Sequence, residues 1–433
     1  MLNLTRYQWT TLFAAWLGWG FDVFDALLFN YVAPNCVPAL LHLPLGSAAA
    51  KSATLFWTGV LSSLLLVGWA VGGIVFGVVC DRLGRLRTLM LTMLIYALGT
   101  AACAAAPNIW VLAVCRVVAS LGIGGEWAAG ASMVAEVVPE HRRVEAGALL
   151  YTASPLGLFL AAFLNFQITG VWLADDPLTS WRYVFLCGLI PAAVAFIVRF
   201  FLKESDEWAH NPAANSARLR DLFAPDVIRL TLGGALASLV SLITWWSCNA
   251  FLPTIVSQIA QQWAHMSSLN ATETVALVEQ WKFRGSIAFN MGGLAGILIA
   301  IPIAKHWGRR TMFAVYFALS AAGIFVMFGL DLSPQIQLAM YFFIGIGVYG
   351  TSGTFTFYLP ELFPTRLRGT GSGFCYNVGR IVAAIGPFVV GVVASRGAAR
   401  DVLIYVGFIP LLALALVPFI VETKNMSVRS SSA

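Results

Sequence analysis

Long apolar runs, separated by short breaks of charged, proline, glycine or asparagine residues, fill this chain from end to end. The runs lie near 9–33, 53–79, 88–105, 109–135, 146–172, 183–202, 228–256, 284–304, 311–330, 336–358, 370–394 and 402–421, twelve in all. Each approaches the roughly 20 apolar residues that a helix needs to cross about 30 Å of hydrocarbon. None alternates with the period of two that a membrane barrel requires, and an open strand edge cannot satisfy its backbone in lipid. The expectation is an all-α membrane protein of twelve transmembrane helices. Composition sharpens it: 59% of residues are hydrophobic and 11% charged, against about 25% charged in a soluble protein. A soluble chain of 433 residues could not cover its surface with so few charges, and a disordered one would not hold so many aromatics.

Lys and Arg positions give the orientation. Arg6, Arg82, Arg85, Arg87, Arg142, Arg143, Lys203, Arg218, Arg220, Lys305, Arg309, Arg310, Arg366, Arg368, Lys424 and Arg429, with Arg199 and Arg229 at helix ends, fall on one side. The opposite connections hold only Lys51, Arg182, Lys282, Arg284, Arg396 and Arg400. Positive residues gather on the cytoplasmic side, so both termini are expected in the cytoplasm of a multi-pass inner-membrane protein. The first run carries two aspartates and no small-residue cleavage site, so it reads as a retained helix and not as a signal peptide. No basic stripe points to nucleic acid. The seven cysteines form no CxxC pattern and read as small buried hydrophobes.

The longest cytoplasmic connection, 203–226, divides the spans six and six, giving bundles over 1–202 and 227–433. The halves echo each other. Gly84-Arg85 returns as Gly308-Arg309 at an offset of 224, and Glu136-x-x-Pro139-x-x-x-Arg143 as Glu361-x-x-Pro364-x-x-x-Arg368 at an offset of 225. Glu204-Ser205 and Glu422-Thr423 make a looser third pair. A duplicated six-helix unit suits a carrier that rocks one half against the other about a midplane site.

Gly77-x-x-x-Asp81-Arg82-x-Gly84-Arg85-x-Arg87 resembles the signature between the second and third helices of the major facilitator superfamily, and the resemblance covers essentially the whole chain. Arg116…Gly122-x-Gly124-Gly125-Glu126 and Glu204-Ser205-x-x-Trp208 look like its sugar, metabolite and sialate branches. Asp22-x-x-Asp25 with Tyr376-Asn377-x-Gly379-Arg380 is most similar to sialate:proton symporters. Aromatic-acid:proton symporters, which share the paired aspartates and the pattern Gly379-Arg380…Gly386-Pro387, are the nearest rival. The resemblance implies two pseudo-symmetric six-helix bundles and proton-coupled transport by alternating access. It also implies that Asp22 and Arg116 form the coupling pair and that the Asp81, Arg82, Gly84, Arg85 cluster latches the halves on the inner side. Glu136, Arg143, Glu361 and Arg368 are the expected partners in that gate. The second copy departs from the pattern, with Lys305 where Asp81 stands and His306 in place of Arg82.

Five ionisable residues fall inside spans: Asp22, Asp25, Arg116, Glu126 and Arg380. A charge at mid-membrane costs about 2.5–3.5 kcal/mol on insertion scales, so each needs a reason. Asp22 and Asp25 share a helix face, and two carboxylates so close in low dielectric should not both ionise readily. A carboxylate that exchanges a proton is what a proton-coupled carrier requires. Glu126, in a glycine-rich stretch, is either a second proton station or a structural partner. A guanidinium matches a carboxylate with two prongs, so Arg380 is the candidate substrate anchor, with Tyr376 and Asn377 adding hydrogen bonds; the alternative is a neutralising partner for Asp25 or Glu126. Trp245 and Asn249, one turn apart, and Asn290 are cavity candidates, although polar helix contacts would look the same.

No metal cluster, phosphate-cradling loop or cofactor motif is visible, so energy is expected from an ion gradient, with protons favoured by the buried carboxylates and sodium left open. Scattered histidines and short loops argue against an integral-membrane enzyme. The leading expectation is a monomeric symporter of a small organic anion: a sialate-like sugar acid, a monocarboxylate or an aromatic acid. A sugar or polyol porter is the alternative.

Overall fold

The computed structural model describes residues 4–83, 85–139, 142–198, 219–363, 367–396 and 399–423. Among these no strand occurs, and every regular element is a helix. In order come α1 (Arg6–Leu40), α2 (Ala48–Leu83), α3 (Arg85–Cys103), α4 (Ile109–Val137), α5 (Arg143–Tyr151), α6 (Ala153–Asn165), α7 (Pro177–Leu186) and α8 (Ile190–Val198). The second half holds α9 (Ile228–Met266), α10 (Ala271–Trp307), α11 (Arg309–Gly329), α12 (Pro334–Leu362), α13 (Arg368–Ala383), α14 (Ile385–Arg396), α15 (Ala399–Val406) and α16 (Phe408–Leu416). The pairs α5–α6, α7–α8, α13–α14 and α15–α16 each run on as one rod, so among the described residues the helices gather into twelve rods.

Nine stretches among the described residues are long and apolar enough to span a bilayer, and Ile109–Gly125 and Leu403–Phe419 are shorter apolar helices. Their outer faces are greasy, with Ile74, Leu98 and Val114 exposed. Trp110 and Trp172 at one end and Trp307 at the other stand where interfacial tryptophans anchor a protein in lipid.

Several helices outrun their apolar windows because their ends are satisfied locally. α1 starts on a capping box between Thr5 and Gln8 and continues through Pro34 and Pro38 to Leu40, where the sequence pattern stops at 33. α10 starts on a second box, Asn270 with Glu273, thirteen residues before the predicted start at 284. Lys282 therefore belongs to a buried helix and not to a connection. Arg182 likewise sits in α7 and donates to the carbonyls of Ala104 at 2.6 Å and Ala106 at 3.0 Å, beyond the last turn of α3.

Within the first half α4 packs on α2 and α3, and α6 packs on α1; in the second, α12 packs on α10 and α11, and α13 on α9. Among the described residues the halves meet where α2 packs on α14, α13 and α9, α1 on α9, α6 and the segment after it on α10, and α5 on α12. The contact of α2 with α14 closes backbone on backbone: a Cβ on Gly59 would stand 2.5 Å from the Pro387 carbonyl oxygen and 2.9 Å from the Gly391 Cα. Ser52 and Ser63 donate across it to the carbonyls of Ser395 at 2.7 Å and Ala384 at 2.6 Å.

Candidate functional site

Asp22 is the 17th of the 35 residues of α1, about 25 Å along it at 1.5 Å per residue. It is fully buried, within electrostatic reach of the Arg380 guanidinium on the other half. Asp25, one turn further and equally buried, turns to the interior of its own half. Its Oδ2 accepts from the Thr100 hydroxyl at 2.7 Å, and Arg116 is its cationic neighbour.

Arg116, on α4, donates to the carbonyls of Asp25 at 3.0 Å and Ala26 at 2.6 Å, and to the Thr100 hydroxyl at 3.4 Å. The resemblance pairs Arg116 with Asp22; the geometry ties it to the Asp25 turn of α1. An i, i+3 pair does not point one way on a curved surface between two neighbours, and each aspartate finds its own cation.

Arg380, on α13, is buried beside two aromatic rings. Its guanidinium carbon lies 4.2 Å from the centre of the Trp69 ring and 4.6 Å from that of Tyr376, and its Nη1 donates to Asn377 at 3.2 Å. Trp69 comes from α2, so each half supplies one ring. A desolvated cation on an aromatic face gains about 2 kcal/mol or more, which offsets part of the cost of burying Arg380.

From Trp69 the rings continue. Trp246 meets Trp69 edge-on at 5.9 Å, Trp245 meets Trp246 at 4.9 Å, and Tyr349 meets Trp245 at 5.9 Å. The Tyr349 hydroxyl donates to Asn290 at 3.1 Å. Trp19 and Tyr151, from the first half, complete the wall beside Trp69. Of the predicted substrate residues, Arg380, Tyr376 and Asn377 thus form one group, and Trp245 and Asn290 a second joined to it by tryptophans. Asn249 is buried but donates to the Trp245 carbonyl of its own helix at 3.0 Å. Trp69, Trp246, Trp19 and Tyr151 escaped the sequence reading because an aromatic in an apolar run carries no signal of its own.

Two buried charges were also missed. Glu279 and Lys282 of α10 form an ion pair at 2.6 Å with both side chains about 1% exposed.

The second-half gate residues converge. Arg309 pairs with Glu361 through bonds of 3.1 and 2.7 Å, and the Thr423 hydroxyl donates to Glu361 at 2.5 Å. Glu422 accepts the backbone N–H groups of Arg309 at 2.9 Å and Arg310 at 3.0 Å, a carboxylate on the positive end of α11. Gly308 takes φ +92°, a backbone conformation that calls for glycine, and lies close under the Glu422 carboxylate. Motifs that echo along the sequence therefore meet in space. Lys305, expected only to follow the charge bias, pairs with Glu145 of α5 at 2.9 Å across the halves. Gly84 and the side chains of Asp81, Arg82, Arg85, Glu126, Glu136, Arg143 and Arg368 lie outside the described residues. Among the described residues no group of His, Cys, Asp and Glu is placed to hold a metal ion.

The family model of the Major Facilitator Superfamily matches residues 23–387. The chain belongs to that superfamily. Its relatives within the superfamily include a sialic acid transporter of Escherichia coli (strain K12), 26% identical with 86% of this chain and 84% of the relative covered. A gentisate transporter of Corynebacterium glutamicum is 25% identical, with coverages of 89% and 81%. The crystal structure of a D-xylose-proton symporter superposes with a TM-score of 0.74 over 97% of this chain and 99% of that one, at 16% identity. That likeness establishes the shared fold: a multi-pass, all-helical major facilitator with its halves meeting over a buried centre.

Proposed function

We propose that this major facilitator is a secondary active symporter that carries a small organic anion together with protons by alternating access. The observation that carries the reading is the seat of Arg380: a buried guanidinium 4.2 and 4.6 Å from the centres of two aromatic rings, one from each half, with Asp22 of α1 within electrostatic reach. A guanidinium matches a substrate carboxylate with two prongs, and Trp245, Trp246, Tyr349 and Asn290 flank the remainder of the molecule. Protonating Asp22 removes the internal anion that competes for Arg380, so proton and substrate anion arrive as one neutral set. Charge that enters the site balanced avoids the desolvation cost of a lone ion. The relatives named for sialic acid and gentisate, both carboxylates, support the same substrate class.

In this reading 1–202 and 227–433 move as units joined by the 203–226 connection, both termini face the cytoplasm, and the monomer is the working unit. Protons are the coupling ion, with sodium as the competing proposal.

Uptake into proteoliposomes, from a panel of sugar acids, monocarboxylates, aromatic acids and neutral sugars at two external pH values, tests it. One class of acid should accumulate, faster at the lower external pH and without need of sodium, and Arg380→Gln should abolish that uptake. Accumulation of a neutral sugar alone, or unchanged acid affinity in Arg380→Gln, would overturn the reading.

A further inference from the structure

The Glu279–Lys282 pair sits nine to twelve residues into α10, at the end of the molecule opposite the N-terminus. Its surroundings come from the other half. Glu279 Oε1 accepts from Asn35 of α1 at 3.1 Å, and Oε2 from Asn165 at the end of α6 at 2.6 Å. The Lys282 Nζ donates to the Tyr31 carbonyl at 3.0 Å. The Tyr31 hydroxyl shares a 2.5 Å hydrogen bond with Ser286, which also accepts from Asn290 at 3.1 Å.

The backbone is shaped around this point. Immediately after Asn165 the rod widens into a π-helical segment, Phe166–Trp172, a rare feature that concentrates at functional sites. Gly170 in that segment lets Glu279 approach: a Cβ there would stand 2.7 Å from the Glu279 Cβ. One turn along, Phe166 stacks on Phe283 of α10 at 5.1 Å and 7°.

We infer that Glu279 and Lys282 are gating residues: an ion pair on one half that gains its further hydrogen bonds only when the other half closes over it. Closing at this end takes the pair out of water, a cost that is recovered only if the remaining lone pairs and protons find partners. Asn35, Asn165 and the Tyr31 carbonyl are those partners, and all three leave together when the halves part. The pair then passes to solvent while Glu279 and Lys282 keep each other, so neither charge is stranded in the open state. The latch is thus switched by closure itself and requires no residue of the Arg380 site. It rests on alternating access and is independent of which solute is carried.

The test measures distance, not transport. Spin labels at Ala49→Cys on α2 and Ser267→Cys after α9, both exposed positions at this end, report the separation of the halves by pulsed electron resonance in lipid nanodiscs. Glu279→Gln, Asn35→Ala and Asn165→Ala should each shift the population from the short distance towards a longer one, several-fold in the ratio of the two. Asn35→Ala and Asn165→Ala leave the ion pair intact. If they leave the distance distribution as in the parent while Glu279→Gln only lowers thermal stability, the pair is a fastening within α10 and the inference fails. No substrate is present, so failure here is separate from failure of the anion-and-proton reading.

Discussion

Trp69 separates the charge of Arg380 from its orientation. Replacing the indole with leucine keeps the cation and removes one aromatic face, a loss of about 2 kcal/mol for a desolvated pair, of which leucine's own packing returns a part, leaving roughly tenfold in affinity. Trp69→Leu should raise the KM for the transported acid about tenfold with a smaller change in kcat, and Trp69→Phe should recover most of it; concentration-dependent uptake measures both. Arg380→Lys should not restore function lost in Arg380→Gln, because an ammonium lacks the planar, two-pronged form of the guanidinium. Asp22 and Asp25 separate as well. Asp25 lies among Thr100 and Arg116 inside the first half, whereas Asp22 lies within electrostatic reach of Arg380 on the other half. Asp22→Asn should therefore abolish accumulation driven by a proton gradient while solute counterflow persists, a comparison made on the same vesicles. If gradient-driven accumulation survives in Asp22→Asn, another group carries the proton.

At the scale of helices, charge is used at the ends and small residues at the crossings. The start of α11 is fastened by Glu422 on its first N–H groups and by the Arg309–Glu361 pair. Charge-assisted hydrogen bonds are worth about 1.5–3 kcal/mol each, so Glu361→Ala should lower the melting temperature of the detergent-solubilised protein by several degrees. Lys305→Met should hardly move it: the Lys305–Glu145 pair is 50% and 31% exposed, and such pairs contribute about 0–1 kcal/mol. The crossing of α2 with α14 behaves differently. Gly59→Val would drive two methyl groups into Pro387 and Gly391, so the labelled pair at 49 and 267 should read mainly the longer distance.

For the whole molecule, the sequence disclosed what repeats and what is costly. Twelve runs, a six-and-six division and the echo of Gly308-Arg309, Glu361 and Glu422-Thr423 were all visible as patterns, and the last three meet around the start of α11. Arg380 stood out because a lone cation in an apolar run has no local explanation. Glu279 and Lys282 did not, for the converse reason. One turn apart and opposite in sign, they read as the polar edge of a connection, and a hydropathy window stops at them. What hides them is that their partners, Asn35 and Asn165, come from helices more than 100 residues away. The partition of Asp22 and Asp25 between two arginines is equally a property of packing, since their spacing is compatible with either pairing.

The glycine crossing of Gly59 with Gly391 has a kinetic consequence. Atoms that meet there are backbone atoms, already fixed within their helices, so no side chain loses rotamer freedom when the surfaces come together. A leucine at such a place would surrender roughly 0.5–1 kcal/mol of entropy on each closure and regain it on each opening. Gly59 and Gly391 remove that toll from both directions of the cycle. The crossing can therefore make and break at the speed of rigid helices sliding past one another, leaving the polar contacts beside it to decide how long each state persists.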